Sequence, residues 1–383
     1  MPGTQRPNGK EPNAISHKLD QSFAAFARQE AANIHNKVVR LAPFRPLFSS
    51  SLRTLLAALC MPGIAIAQNA ADAPQKPKQL LLISFDGAAD NRLWERSGEI
   101  ASRANAHFTY FLSCTTLIAR GPASKAYQAP GQKPGKSNVG FAPDEADAAA
   151  RLEHIWGAHL AGHDISSHAC GHFDGKDWSK ADWLTEFSTF KTVLAGAWKK
   201  NGVADKEPEG WQAFVKTGIK GFRAAYLSTS KGMAEAEKQA GFLYDASLVT
   251  KGPQEPEQDG TLTRFGLPLI AEGPGNRPII GMDYNMFVRH SAGFDNPSKS
   301  AEFEERTYQA FKTAFEAQYS GDRKPVQFGF HFVLMNGGAY WRAMERLVTD
   351  VCHREDVACV SYSQAVAILQ KQNGRKNPAG SSF

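Results

Sequence analysis

Beyond residue 78, short apolar runs alternate with amphipathic stretches of helical period, and this alternation limits the fold more than composition does. The first run, Gln79-Leu80-Leu81-Leu82-Ile83-Ser84, lacks polar alternation, the signature of a strand covered on both faces. Residues 91–104 read as a helix and 106–112 as a second strand. A helix from about Asp144 carries Leu152, Ile155, Trp156 and Leu160 on one face, and Gly162 closes it before a third strand at 163–167. Ser179 with Asp182 has capping-box spacing ahead of a stripe of Trp183, Leu184, Phe187, Phe190 and Leu194. Strands are expected at 221–227, 242–247, 326–332 and 357–361, with helices at 232–240, 302–319, 340–353 and 363–370; residues 251–300 read as irregular. Strands alternating with helices predict a parallel sheet, and this many units predict an α/β fold closed into a distorted (β/α) barrel.

Charge is unevenly placed. The formal net charge is +6, but residues 1–67 hold eight Lys/Arg and three Asp/Glu, leaving the rest of the 383-residue chain near +1. A body that close to neutral lacks the basic footprint of a nucleic-acid binder. Residues 55–67, LLAALCMPGIAIA, are the most apolar run; 13 residues with Pro62 inside are too short to span a bilayer, so no stable membrane span is expected. Arg40, Arg45 and Arg53 precede the run and Ala65-Ile66-Ala67 ends it, the pattern of a secretory signal, with a buried core helix as the alternative. The expected organisation is a leader at 1–67, a Pro/Lys-rich linker at 68–78, a catalytic domain at 79–372 and a flexible tail at 373–383. Cleavage after Ala67 would deliver a periplasmic or secreted protein with Cys114, Cys170, Cys352 and Cys359, an even set suited to an oxidising compartment. The short spacing of Cys352 and Cys359 predicts one disulfide. Cys114 and Cys170 end neighbouring strands and form a second candidate pair, unless Cys170 is a buried thiol.

In such barrels, chemistry sits where strands end. Strand one ends in Ser84-Phe85-Asp86-Gly87-Ala88-Ala89-Asp90-Asn91, and strand three in Ser167-His168-Ala169-Cys170-Gly171-His172. Later strands bring Gly221-Phe222-Arg223-Ala224-Ala225-Tyr226, then Tyr244-Asp245, then Phe328-Gly329-Phe330-His331. Each alone is a weak signal. The ordered set is strong.

That set resembles the polysaccharide deacetylase (NodB-homology) family, and its wording is most similar to the chitin deacetylase branch. GHDISSHACGH, ADW, GFRAAYL, FLYDAS and the Phe330-His331 pair have counterparts there in the same order, over about residues 79–370. The resemblance implies a metal-dependent N- or O-deacetylase on a distorted (β/α) barrel. It makes Asp86 the general base, Arg223 its orienting cation, His168 and His172 metal ligands, Tyr226 an oxyanion donor through its backbone N–H, and His331 the general acid. Asp245 is the candidate partner that tunes His331. Two departures stand out: Gly87 occupies the position of the family's metal-binding Asp, and Ala225 that of its Pro. Asp90, four residues past Asp86, is a candidate for the missing ligand and equally the cap of the helix at 91; Asp283 is a further candidate.

The chemistry also follows from residue types. Amide hydrolysis needs an activated water, a stabilised oxyanion and a proton for the departing amine. Two imidazoles suit a divalent metal, zinc by ligand preference, and a histidine near its ordinary pKa suits proton delivery. The expected function is an exported deacetylase acting on an acetylated, GlcNAc-type polysaccharide or oligosaccharide. Gly87 keeps open a metal-independent C–N hydrolase of small amides or cyclic imides, and a non-catalytic glycan binder is the third reading. Trp178 and Trp183 read as core or rim packing ahead of sugar platforms, and Tyr284 could face a glycan.

Overall fold

The computed structural model describes residues 76–376; the leader, most of the linker and the end of the tail lie outside the described residues. Its strands are β1 (Gln79–Asp86), β2 (Thr109–Leu112), β3 (Asp164–Ser167), β4 (Gly221–Phe222), β5 (Tyr244–Thr250), β6 (Glu257–Asp259), β7 (Leu262–Glu272), β8 (Arg277–Ile280), β9 (Val326–His331) and β10 (Val357–Cys359). Its helices are α1 (Asn91–Ala104), α2 (Pro122–Ala126), α3 (Glu145–Leu160), α4 (Lys180–Lys200), α5 (Trp211–Thr217), α6 (Met233–Ala240), α7 (Asp283–Ser291), α8 (Ser300–Ser320), α9 (Met335–Val351) and α10 (Tyr362–Lys376).

Adjacent parallel strands run β1-β2-β3-β4-β5-β7, and β1 also pairs with β9 and, at its start, with β10. Among the described strands only β6 and β8 run antiparallel, both against β7. The sheet curls until a single bridge between Met282 and Gly329 links the β8–α7 junction to β9. The result is an irregular (β/α) barrel.

β1 shows how sequence period becomes layers. Leu81, Ile83 and Phe85 join the large cluster packed under the helices, whereas Leu80 and Leu82 join Phe111, Tyr244, Phe265 and Tyr362 inside the barrel. Ser84 and Asp86 share that inward face by the same alternation. Tyr362, at the start of α10, therefore plugs the barrel from below. Gly221 lets β4 approach: a Cβ there would fall inside the Tyr244 ring.

The expected helix starts hold, with Asp144 accepting from Asp147 N and Ser179 forming its capping box with Asp182. Three readings need correction. Leu160 is 68% exposed, off the buried face of α3. The strand expected at 221–227 is only β4, because a 3-10 turn begins at Ala225. The stretch read as irregular contains β7, β8 and α7. Gly266 and Pro268 inside β7 resemble breakers, but Thr250 Cγ2 fills the space a side chain at Gly266 would need. Among the described residues no helix is long and apolar enough to cross a membrane.

Candidate active site

Asp86 closes β1 and lies in register with His331, the last residue of β9. Parallel pairing thus sets a carboxylate and an imidazole side by side at the strand ends. Arg223, just past β4, is fully buried and reaches Asp86 Oδ1 at 2.8 Å and Ser84 Oγ at 2.9 Å through the same nitrogen. Its other nitrogens donate to Tyr362 OH at 3.0 Å and Ala246 O at 3.1 Å, and its guanidinium lies 4.3 Å over the Phe111 ring. Burial pushes the Asp86 carboxyl up, but Arg223, His168 and His331 together hold it below its ordinary value. It stays ionised.

His168 and His172 sit on the loop after β3, their ring centres 4.7 Å apart. His168 Nδ1 lies 2.7 Å from Arg223 O; a carbonyl only accepts, so Nδ1 carries the proton and Nε2 presents a lone pair. That Nε2 is buried without a hydrogen-bond partner. Burial lowers the pKa of both histidines, His172 strongly, so both are neutral. Ala169 and His172 adopt left-handed conformations with φ of 59° and 55°, a strained path that the surroundings must impose. Those surroundings are specific. A Cys114–Cys170 disulfide ties the loop to the end of β2, and Glu186 on α4 accepts from Cys170 N at 3.0 Å and Gly171 N at 3.3 Å. Tyr127 OH donates to the same Glu186 oxygen at 3.0 Å. The second expected disulfide, Cys352–Cys359, is also present, with Cα atoms 5.6 Å apart.

Tyr226 follows Arg223 in a left-handed conformation (φ 57°), its ring edge-on to His172 at 4.8 Å. Asn138, from the loop at 121–141, donates to Tyr226 OH at 3.2 Å and to His172 O at 2.9 Å.

The partner of His331 is Asp283. Its two oxygens meet His331 Nδ1 at 2.7 Å and His331 N at 2.8 Å, and Trp341 Nε1 donates to His331 O. Burial raises the Asp283 pKa, opposed by His331. Asp245, expected in this role, instead accepts from Ser247 N at 2.8 Å and Arg264 Nε at 3.3 Å. The sequence offers Asp283 only as a candidate ligand and not as the partner of His331, because it opens a helix inside the stretch read as irregular; its contact with His331 follows from the Met282–Gly329 bridge, which no local pattern encodes. Tyr284, considered for glycan contact, is fully buried. Trp183 is core, with Trp178 packed edge-on against it.

Asp90 is the N-cap of α1. It accepts from Arg92 N at 2.9 Å and pairs with the Arg92 guanidinium at 2.7 Å, which turns it toward its own helix. His168, its proton fixed by a carbonyl, has the form of a ligand. The third ligand of a catalytic zinc is wanting: Gly87 has no side chain, Asp90 serves α1 and Asp283 serves His331. Among the described residues no three His, Cys, Asp or Glu are gathered to hold an ion. A zinc held by three protein side chains does not fit this arrangement.

No protein-family model matches the chain, and no curated protein does. Solved structures similar to it include Puue allantoinase, at TM-score 0.48 and 14% identity over 80% of this chain and 94% of that one. A protein designated a polysaccharide deacetylase from Mycobacterium smegmatis follows at 0.47 and 15% over 79% and 94%. The chitin deacetylase of Colletotrichum lindemuthianum stands at 0.40 and 10% over 76% and 88%.

Proposed function

We propose that the protein is a hydrolase that removes N-acetyl groups from a GlcNAc-type polysaccharide or oligosaccharide outside the cytoplasm, with O-acetyl esters open to the same machinery. The observation that carries this reading is the pairing of an ionised Asp86, held by Arg223, with a His331–Asp283 dyad at the same register position of adjacent strands. Asp86 takes the proton of the attacking water. Its depressed pKa keeps it a base through the neutral range. His331 has Nδ1 committed to Asp283, so Nε2 delivers the proton to the departing amine, and the buried carboxylate steadies the imidazolium before delivery. The backbone N–H of Tyr226, carried by the strained turn after Arg223, is assigned to the oxyanion. A metal enters this proposal only as an ion on His168 and His172.

The test is acetate release from N-acetylated chitooligosaccharides by the purified protein, with metal content measured in the same preparation. Acetate release supports the reading, and none from any acetylated glycan overturns it. A second reading, a metal-independent C–N hydrolase of small amides or cyclic imides, is favoured by Gly87 and the missing third ligand. It requires turnover of such amides by protein stripped of metal.

A further inference from the structure

The loop at 121–141 touches the site and carries its own charge. From residue 115 to 143 the chain has four cations, Arg120, Lys125, Lys133 and Lys136, and no anion, in a body whose net charge is near zero. Lys125, Lys133 and Lys136 are exposed, and among the described residues no ion pair or side-chain hydrogen bond engages any of them. The fold gathers these lysines. Gly135 N donates to Tyr127 O at 2.7 Å, and the Cβ direction of Gly135 points at the Lys125 backbone, so the turn bearing Lys133 and Lys136 rests on α2. Two residues beyond Lys136, Asn138 is exposed to solvent yet bonded to His172 O and Tyr226 OH, and its own N–H donates to Gly171 O at 2.8 Å. The basic turn is thereby anchored to the loop that carries the two histidines.

We propose that this loop is the substrate-selecting wall of the site, and that Lys125, Lys133 and Lys136 favour acetylated glycans bearing carboxylate groups over neutral ones. The inference rests on the deacetylase reading and narrows its substrate. A polymer bound at Asp86 and His331 extends several sugar units to either side, and exposed charges act on it over roughly 8 Å at physiological ionic strength. Exposed lysines contribute modestly one by one, and three of one sign without internal partners act together on a polyanion. Asn138 meanwhile positions the Tyr226 ring and the His172 backbone from the same segment. Charge recognition and the reacting groups therefore share one support.

Two tetrasaccharides provide the test: neutral chitotetraose, and a peptide-free glycan alternating N-acetylglucosamine with N-acetylmuramic acid, which bears carboxylates. The readout is the ratio of their kcat/KM values for acetate release at low and at 0.5 M salt. The wild-type protein is expected to favour the carboxylate-bearing glycan by about tenfold at low salt, with the ratio falling toward one at high salt. The ratio also falls toward one when Lys125→Ala, Lys133→Ala and Lys136→Ala are combined, and Lys→Arg at the same three positions preserves it. No preference in the wild type, or an equal preference in the triple alanine variant, overturns the proposal. If neither glycan is deacetylated, the functional reading fails on its own. Calorimetry of Asp86→Asn protein with the carboxylate-bearing tetrasaccharide then tests the wall separately: lysine-dependent, salt-sensitive binding upholds it, and binding indifferent to the lysines, or none, overturns it.

Discussion

At the scale of single residues, the site divides its labour between two buried carboxylates with different surroundings. Asp86 faces a guanidinium and is held below its ordinary pKa, whereas Asp283 faces an imidazole and is raised by burial. Asp86→Asn, nearly isosteric, is expected to abolish acetate release with the fold intact, because an amide cannot accept the water's proton. Near wild-type turnover in that variant would remove Asp86 from the mechanism. His331→Ala is expected to slow the reaction by about 10² to 10⁴, the usual contribution of a general acid. Asp283→Asn tests the dyad through the pH profile. Without the carboxylate the imidazolium is less stable, so the protonated acid is lost at lower pH and the alkaline limb of kcat moves down. A profile of unchanged shape, merely scaled, would make Asp283 a packing residue. Both roles were only half legible in the sequence. Asp86, Arg223 and His331 stood out because each ends a recognisable strand. Asp283 did not, since its partner is chosen by closure of the barrel and nothing in GMDYN announces it.

At the scale of elements, the loop after β3 is held by more than its own sequence. Its left-handed residues, Ala169 and His172, need the Cys114–Cys170 bridge on one side and Glu186 on the other. Those cysteines are 56 positions apart in sequence, so the bridge restricts the unfolded chain by about 4 kcal/mol in the chain-entropy model. Replacing Cys114 and Cys170 together by Ser is expected to lower Tm by several degrees and to reduce kcat, because the histidine loop loses its covalent anchor. Intact activity and Tm would show that Glu186 and the Thr115 contact to Cys170 O suffice. The elements themselves were readable where burial follows a period, as in β1 and α4. They were unreadable where tertiary contact overrode composition. β7 is the example: its Gly266 and Pro268 read as loop residues, and only the side chain of Thr250 explains why a glycine belongs there.

At the scale of the whole molecule, stability and closure are long-range properties. His163 accepts the Phe108 N–H through Nδ1 at 2.9 Å, locking the starts of β2 and β3, and burial with His107 nearby pushes its pKa down to about 4. Unfolded chain binds that proton from about pH 6.5 downward, folded chain does not. This contribution to stability is therefore complete above about pH 6.5 and is lost as pH falls toward about 4. Thermal melts between pH 7.5 and 5 should show a smaller loss of Tm in His163→Gln, which keeps an acceptor but does not titrate. Equal losses in both proteins would assign the acid sensitivity to other groups. Closure has a different consequence, one of timing. β1 is the first described strand in the chain, yet one of its edges waits for Val326–His331, and its first residues wait for Val357–Cys359. A chain ending at residue 325 would already own Asp86, Arg223, His168 and His172, but its first strand would stand with an open edge and without His331 beside Asp86. Such contacts, separated by some 245 residues, make folding slow and leave an adhesive strand edge exposed until the end. On the proposed assignment the general acid comes only from the strand past residue 325, so a chain that stops before Val326 is expected to release no acetate.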